Sequence, residues 1–596
     1  MRLTMACCFL LVSFLFVGCR SDDEQSSTAA EEASQESSQT AALVVEPATA
    51  NADEDSATDT AASAVTDTTL LNTNLKNNDA AYIPAQCYTK TTADNGEVHN
   101  PCFACHTNSD VPNYINDLDF QMVADFRPTT VTNKWSNLFK DRTDEVAAMS
   151  DTAIQAWVRK SNYFADDGGL LLANKLAEVP ANWDFNGDGQ WDGYVPDLYF
   201  NFDDQGFDKT PNGDDSGWRA FAYTPFLGTF WPTNGSTDDV LIRLPAAMRE
   251  DNDGHYSRTV YQLNLAIVEA VVTKSDVVIA VTDESLYDVD LNANGRIDQA
   301  DKIVYAWQPS AGRFMSYVGR AKALQVAGEL HMAGGLYPEG TEFIHTVRYI
   351  DVSNEGEISL APRMKELRYS RKHSWNTYGQ LNNAALTEIR EGDQWPERLR
   401  NIKGNPEIGV VNGQGWLYQG FIEDQQGELR PQSYEESVNC VGCHSGIGVT
   451  ADSSFAFPRK LAHDQFQGGW FHWSQKGLTG IPEPQWRDGT WEYTEYLRQN
   501  RSGNEFRNNS EVTSRFFTGS GELNAEAIEQ LHSDIATLIL PSAERAWQLN
   551  KAYKVIVDEQ SFIYGRDAHI EPLDNVWQEA PAGEVTGVVE PVVRAW

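Results

Sequence analysis

Cys102-Phe103-Ala104-Cys105-His106 and, far downstream, Cys440-Val441-Gly442-Cys443-His444 are two copies of one pattern, C-x-x-C-H. It is the attachment signature of c-type haem. Two thiols spaced this way reach the two vinyl groups on one edge of a porphyrin, and the next residue offers its imidazole to the iron. At this composition a single copy would arise by chance about 0.002 times, so two copies are a designed feature. Of the eight cysteines, Cys7 and Cys8 fall in the leader and Cys19 at its end. Cys87 is left over beside the two pairs. The rival is a Cys₄ zinc site split along the chain. Zinc leaves both adjacent histidines without a purpose, whereas two covalently bound haems c use them.

Working outward to the N-terminus, Arg2 precedes an apolar run from Met5 to Val17. Thirteen residues are too few to cross a bilayer as a helix and suit the core of an export signal. Phe16-Val17-Gly18-Cys19 resembles a bacterial lipobox, with Phe16 where leucine is usual. On that resemblance residues 1–19 are a lipoprotein signal and Cys19 takes the lipid. Residues 20–79 are acidic, rich in Ala, Ser and Thr and nearly free of aromatics, which reads as a disordered tether. Arg20 is not the aspartate that retains some lipoproteins at the inner membrane, so the expected location is the outer membrane, facing periplasm or cell surface. The formal net charge of −40 repels phosphate backbones and excludes nucleic-acid binding, while it steers a basic partner inward.

With two attachment motifs and an export signal, the chain resembles the two-haem lipoprotein members of the bacterial c-type cytochromes. The resemblance covers two short windows. It implies that Cys102, Cys105 and His106 hold one haem and that Cys440, Cys443 and His444 hold the other, with the histidines on the irons. A more distant similarity is to the two-haem cytochrome c peroxidases and their relatives, including the rubber oxygenases. The 337 residues between His106 and His444 exceed that family's usual spacing.

The other axial positions separate an electron carrier, with both sides of each iron filled, from an enzyme with one side open. For the second haem the candidates in sequence range are His463 and His472, the latter in Gly468-Gly-Trp-Phe-His472-Trp. For the first they are His99, Met122 and Met149, of which His99 stands too close to Cys102 to cross the ring. Cys87 lies 15 residues before Cys102. It reads as a buried inert thiol, a distal ligand, or a reactive thiol that makes it the one catalytic candidate.

Two loops between the motifs read as calcium sites. Asp290-Leu-Asn292-Ala-Asn294-Gly-Arg296-Ile-Asp298-Gln-Ala-Asp301 follows the EF-hand order, with Arg296 lending its carbonyl and Asp301 closing the loop. Asp184-Phe-Asn186-Gly-Asp188-Gly-Gln190-Trp-Asp192 opens the same way, but Val195 falls at the closing position, so Asp197 or water must complete it. The alternative is a solvated turn rich in Asp and Asn.

The expected fold is α+β and multidomain. Helical and loop-rich haem regions at residues 80–180 and 366–596 flank a β-rich section at 181–365 that carries both calcium-type loops. Strands are expected at Asp276–Val281, Lys302–Trp307 and Thr346–Val352, and helices at Asp144–Lys160, Ala525–Leu540 and Ser542–Glu559. Thr229–Ser236 is an aromatic, turn-rich segment suited to a pocket wall or a packed loop. The functional expectation is an electron-transferring cytochrome lipoprotein that exchanges electrons with a redox protein or a small molecule. The alternative is a two-haem oxidoreductase with one open iron, peroxidase-like or acting on an organic or sulfur substrate. An adhesion lipoprotein with ancillary haem is a weaker third.

Overall fold

The longest strands are adjacent in sequence and form the middle of a ten-stranded antiparallel sheet. In chain order the strands are β1 (Phe207–Lys209), β2 (Asp215–Ala220), β3 (Thr237–Asp238) and β4 (Leu241–Arg243). Next come β5 (Val277–Asp283) and β6 (Gln299–Ile303), which pair only with each other. They are followed by β7 (Glu342–Val352), β8 (Ile358–Lys372), β9 (Lys403–Asn405), β10 (Gly409–Val411), β11 (Trp416–Glu423) and β12 (Leu429–Pro431). The sheet runs β1-β2-β4-β7-β8-β11-β10-β9, with β3 also on β7 and β12 on β11. This is a computed structural model, and it describes residues 82–92, 99–115, 118–119, 126–398, 401–501, 509–584, 586 and 588. The leader, the lipobox Cys19, the tether and Met122 lie outside the described residues.

Side chains alternate between two cores, as the period of a strand requires. Ile242 of β4 and Phe343 of β7 enter one apolar cluster, while their neighbours Leu241 and Ile344 enter another on the opposite face. The first face is covered by the helix Arg258–Thr273, buried along most of its length and capped by Ser257, whose side chain accepts from the Val260 N–H. Its buried Asn264 is satisfied by the carbonyls of Met248 (2.9 Å) and Val318 (3.1 Å). Each large apolar side chain sealed here stabilises the fold by about 1.5–3 kcal/mol. Pro362 sits inside β8 without breaking the sheet, because the β7–β8 register shifts between Arg348 and Ile350 opposite it.

The α+β expectation holds. Residues Asp67–Trp596 form one compact unit, and the expected boundary at 365/366 falls inside β8. The sections at 181–365 and 366–596 thus share one sheet, to which the described residues of 80–180 add no strand. β5 and β7 occupy the expected strand regions, and β6 begins before Lys302 and ends at Ile303. Helices occupy Thr143–Ala148 and Asp151–Arg159, interrupted where Ser150 caps the second. The tail helix Ala543–Glu559 starts after the Ser542 cap, as Pro541 implies.

Candidate functional site: one cavity shared by both motifs

The sheet face that carries Phe343 also carries His345 on β7, Arg368 and Ser370 on β8, and Trp416 and Tyr418 on β11. The cross-strand register sets His345 opposite Arg368 and Tyr418 opposite Ser370. All six line a cavity of about 870 Å³, within the range of cofactor-sized sites. Cys87, Cys102, Cys105, His106, Cys440, Cys443 and His444 line it as well. Both C-x-x-C-H motifs, separated by hundreds of residues, therefore open into one space.

Each motif is a tight turn that gathers its three functional side chains. In the first, the His106 N–H reaches back to the Cys102 carbonyl at 2.9 Å, and the Cys102 N–H is capped by Asn100 Oδ1 at 2.9 Å. The second is the short helix Asn439–Cys443, ending with the His444 N–H on the Cys440 carbonyl at 2.8 Å. Two glycines let the motifs approach. A Cβ on Gly442 would lie 1.9 Å from the Tyr82 carbonyl oxygen, and one on Gly448 would lie 1.9 Å from that of Thr107. Asn113 completes the seam by donating from Nδ2 to the carbonyls of Ile447 (2.9 Å) and Thr450 (2.5 Å).

His444 is oriented from behind. Its Nδ1 lies 2.9 Å from the Ser453 carbonyl. A carbonyl can only accept, so Nδ1 carries the proton and Nε2 keeps its lone pair, the tautomer of a metal-ligating imidazole. Burial, opposed by that hydrogen bond, lowers its pKa to about 4, so the ring stays neutral. The loop that supplies the carbonyl is strained: Asp452 and Ser453 both have positive φ, 47° and 63°. A buried ion pair holds it, Lys372 Nζ to Asp452 at 2.8 and 2.9 Å.

Burial pushes the Cys87 thiol well above its ordinary range, and Cys105, Cys102 and Cys443 push the same way. Burial likewise raises Cys105, with Cys443 and Cys102 adding to it. These are neutral thiols in an apolar setting, which disfavours a reactive thiolate at Cys87. Among the described residues, the only Asp, Glu, His or Cys ligand atoms that gather as a trio within 4.8 Å belong to Asp251, Asp253 and His255. The cysteines therefore line a space and do not close on a single point, as a tetrahedral thiolate site requires.

Of the distal candidates read from the sequence, Cys87 lines the cavity, Met122 lies outside the described residues, and the four others do not reach it. His472 is buried with both ring nitrogens engaged, Nε2 to Asp239 at 2.7 Å and Nδ1 to Ser474 at 2.6 Å. His463 is exposed, and Met149 packs against a separate apolar cluster. His99 is buried but absent from the lining. His345 was missed because it lies 99 residues before His444; its signal is the inward register it shares with Phe343. Thr229 and Phe230 line the cavity, while neighbouring Trp231 is core.

Both calcium-type loops form compact turns. Asp184 accepts from the N–H groups of Gly187 and Gly189, each at 2.7 Å, and Asp290 from Asn294 (3.1 Å) and Gly295 (2.8 Å). A buried glutamate from outside each loop straps it. Glu407 accepts from Phe185 (2.9 Å) and Asp192 (3.0 Å), and Glu284 accepts from Leu291 (2.6 Å) and Asp298 (2.9 Å). The expected closing group of the first loop has other partners. Asp197 is committed to Arg243, Trp218 and Tyr194, and Asp301 is exposed on β6.

A family model described as a lipoprotein matches residues 71–537, a span containing both motifs, and the chain belongs to that lipoprotein family. It is 28% identical over 572 residues to an uncharacterized lipoprotein of Aquifex aeolicus (strain VF5), covering 86% of this chain and 91% of that one. No solved structure matches it. Membership implies a lipid-anchored protein of the cell envelope. Among the described residues no helix is long and apolar enough to cross a membrane.

Proposed function

We propose that this lipoprotein is a two-haem c-type cytochrome that relays electrons at the envelope, most naturally on the outer membrane. Cys102, Cys105 and His106 would hold one haem, and Cys440, Cys443 and His444 the other. The observation that carries the reading is the single cavity lined by both motifs, with the His444 tautomer already set for a metal. Four thiols, the neutral His444 imidazole and aromatic walls fit a large apolar macrocycle better than a lone ion. Haem supplies reversible one-electron storage. The chain would supply attachment, orientation and an enclosure, and the one cavity lined by both motifs supports transfer between the two haems. The acidic surface suits a basic redox protein as partner.

A second reading, an oxidoreductase acting on a small substrate, is favoured by one feature. Asp238 lines the cavity, where burial and then Asp239 raise its pKa well above the carboxylate range, and the Tyr223 hydroxyl donates to it. A carboxyl kept protonated beside a redox centre is a proton source. The strapped loops at Asp184–Asp192 and Asp290–Asp301 fit structural calcium, with the carboxylates drawing in when the ion binds.

The test is the haem content of protein made in a host with c-type maturation, measured after denaturation. Two haems that stay attached to each chain support the proposal. No attached haem, or zinc held in their place, overturns it. Full reduction of both haems by a basic cytochrome, without turnover of peroxide, separates relay from enzyme.

A further inference from the structure

His345 has an environment that no other described histidine shares. The imidazoles lining the cavity, among the described residues, are His106, His345 and His444. His345 points from β7 on the face of Phe343, directly across the ladder from Arg368, and its ring packs 6.1 Å from that of Phe230. Its Nδ1 is buried and has no hydrogen-bond partner. A buried polar atom left unpaired costs about 1–3 kcal/mol, and such a cost persists where another requirement imposes it.

The charged and titratable groups facing it come from three elements: Arg368 and Glu366 on β8, His444 at the end of the second motif, and Asp239 between β3 and β4. Burial, then Arg368 and His444, lower its pKa to about 3, against the opposing pull of Asp239 and Glu366. The ring is neutral across the ordinary pH range and keeps a lone pair for a metal. No methionine lines the cavity among the described residues.

We propose that His345 is the second axial ligand of the haem attached at Cys440 and Cys443, on the face opposite His444. The inference rests on the two-haem reading. It deepens it by giving the second site a bis-imidazole iron, closed to substrate and suited to relay. Arg368, beside His345 and also near Cys440, would then lie at the rim of that haem.

The experiment uses the full chain with Cys102→Ala and Cys105→Ala, so that the second haem alone contributes, with and without His345→Ala. Haem content and the ferric electron paramagnetic resonance spectrum are read on the same samples. The expected result is one haem in both proteins, low-spin with His345 present and high-spin without it, with free imidazole restoring the low-spin signal. His345→Met serves if the alanine variant does not fold, and its expected spectrum is low-spin with a raised potential. One haem with the same spin state in the parent and in His345→Ala, or an unchanged potential in His345→Met, overturns the inference while leaving the haem reading intact. A chain without haem fails the haem reading itself and is recognised by the haem content alone.

Discussion

Replacing Lys372 by methionine cuts the brace behind His444. Lys372 and Asp452 are buried, with side chains 0% and 2% exposed. The lysine donates to both carboxylate oxygens, and the carboxylate also accepts from the Tyr337 N–H at 3.0 Å. Burial already raises the Asp452 pKa, opposed chiefly by Lys372. Removing the cation strands a buried carboxyl, a loss of about 3–5 kcal/mol. The left-handed conformations of Asp452 and Ser453 then lose their anchor, each holding about 1–3 kcal/mol of strain, and the Ser453 carbonyl drifts from His444 Nδ1. Urea unfolding of the purified protein should show the loss. On the two-haem proposal the potential of the second haem should also rise, because an imidazole on its iron would lose the acceptor that enriches it. Adding Asp452→Asn should recover more than half the stability, since asparagine tolerates the left-handed region and still accepts from Tyr337. A single variant costing less than about 1 kcal/mol, or a double variant no more stable than the single, would refute the reasoning.

Gly448→Ala places a methyl against the Thr107 backbone, so it should cost about 1–3 kcal/mol in thermal unfolding; an unchanged Tm would deny that the seam is tight. Burial favours a raised pKa at Glu366, but Arg368 and Arg566 overcome it and hold the group at about 2, against 4.5 for the free side chain. A depressed carboxylate stabilises the fold fully above pH 4.5 and loses that contribution as pH falls toward 2. About 3 kcal/mol should therefore vanish over that window, and pH-dependent urea titrations should find the acid limb flattened in Glu366→Gln. Calcium at a hundredfold excess over its dissociation constant should stabilise by about 2.7 kcal/mol per site, read as a Tm increase reversed by chelation. The increase should shrink in Asp290→Asn and in Asp184→Asn; an identical Tm with and without calcium would leave the loops as plain turns.

Local chemistry was legible in the sequence because each C-x-x-C-H motif is one turn of chain, and so was the strand period of Thr346–Val352. What crosses the sheet was not. His345 becomes a cavity residue only through its pairing with Arg368, a register fixed by the whole β7–β8 ladder. His472, chosen for its aromatic neighbours, is claimed by Asp239, a residue hundreds of positions away. The glutamates that strap the two loops, Glu284 and Glu407, come from outside the loop pattern, one before its loop and one far after, so no motif contains them. The helix Arg258–Thr273 was not read from the sequence, because it lies within the section expected to be β-rich and its β-branched residues suit either element. The expected boundary at 365/366 falls inside β8, where the hydrogen-bonded ladder with β7 runs across it and sequence alone does not show the pairing.

The central claim is that the two attachment sites hold haems close enough to exchange electrons directly. It is tested by comparing the electron paramagnetic resonance spectrum of the fully oxidised protein with the sum of two single-haem variants, Cys102→Ala/Cys105→Ala and Cys440→Ala/Cys443→Ala. The shared cavity predicts lines broadened and split by magnetic coupling, which the sum does not reproduce. A spectrum equal to the sum at full haem content would place the irons apart and contradict the account.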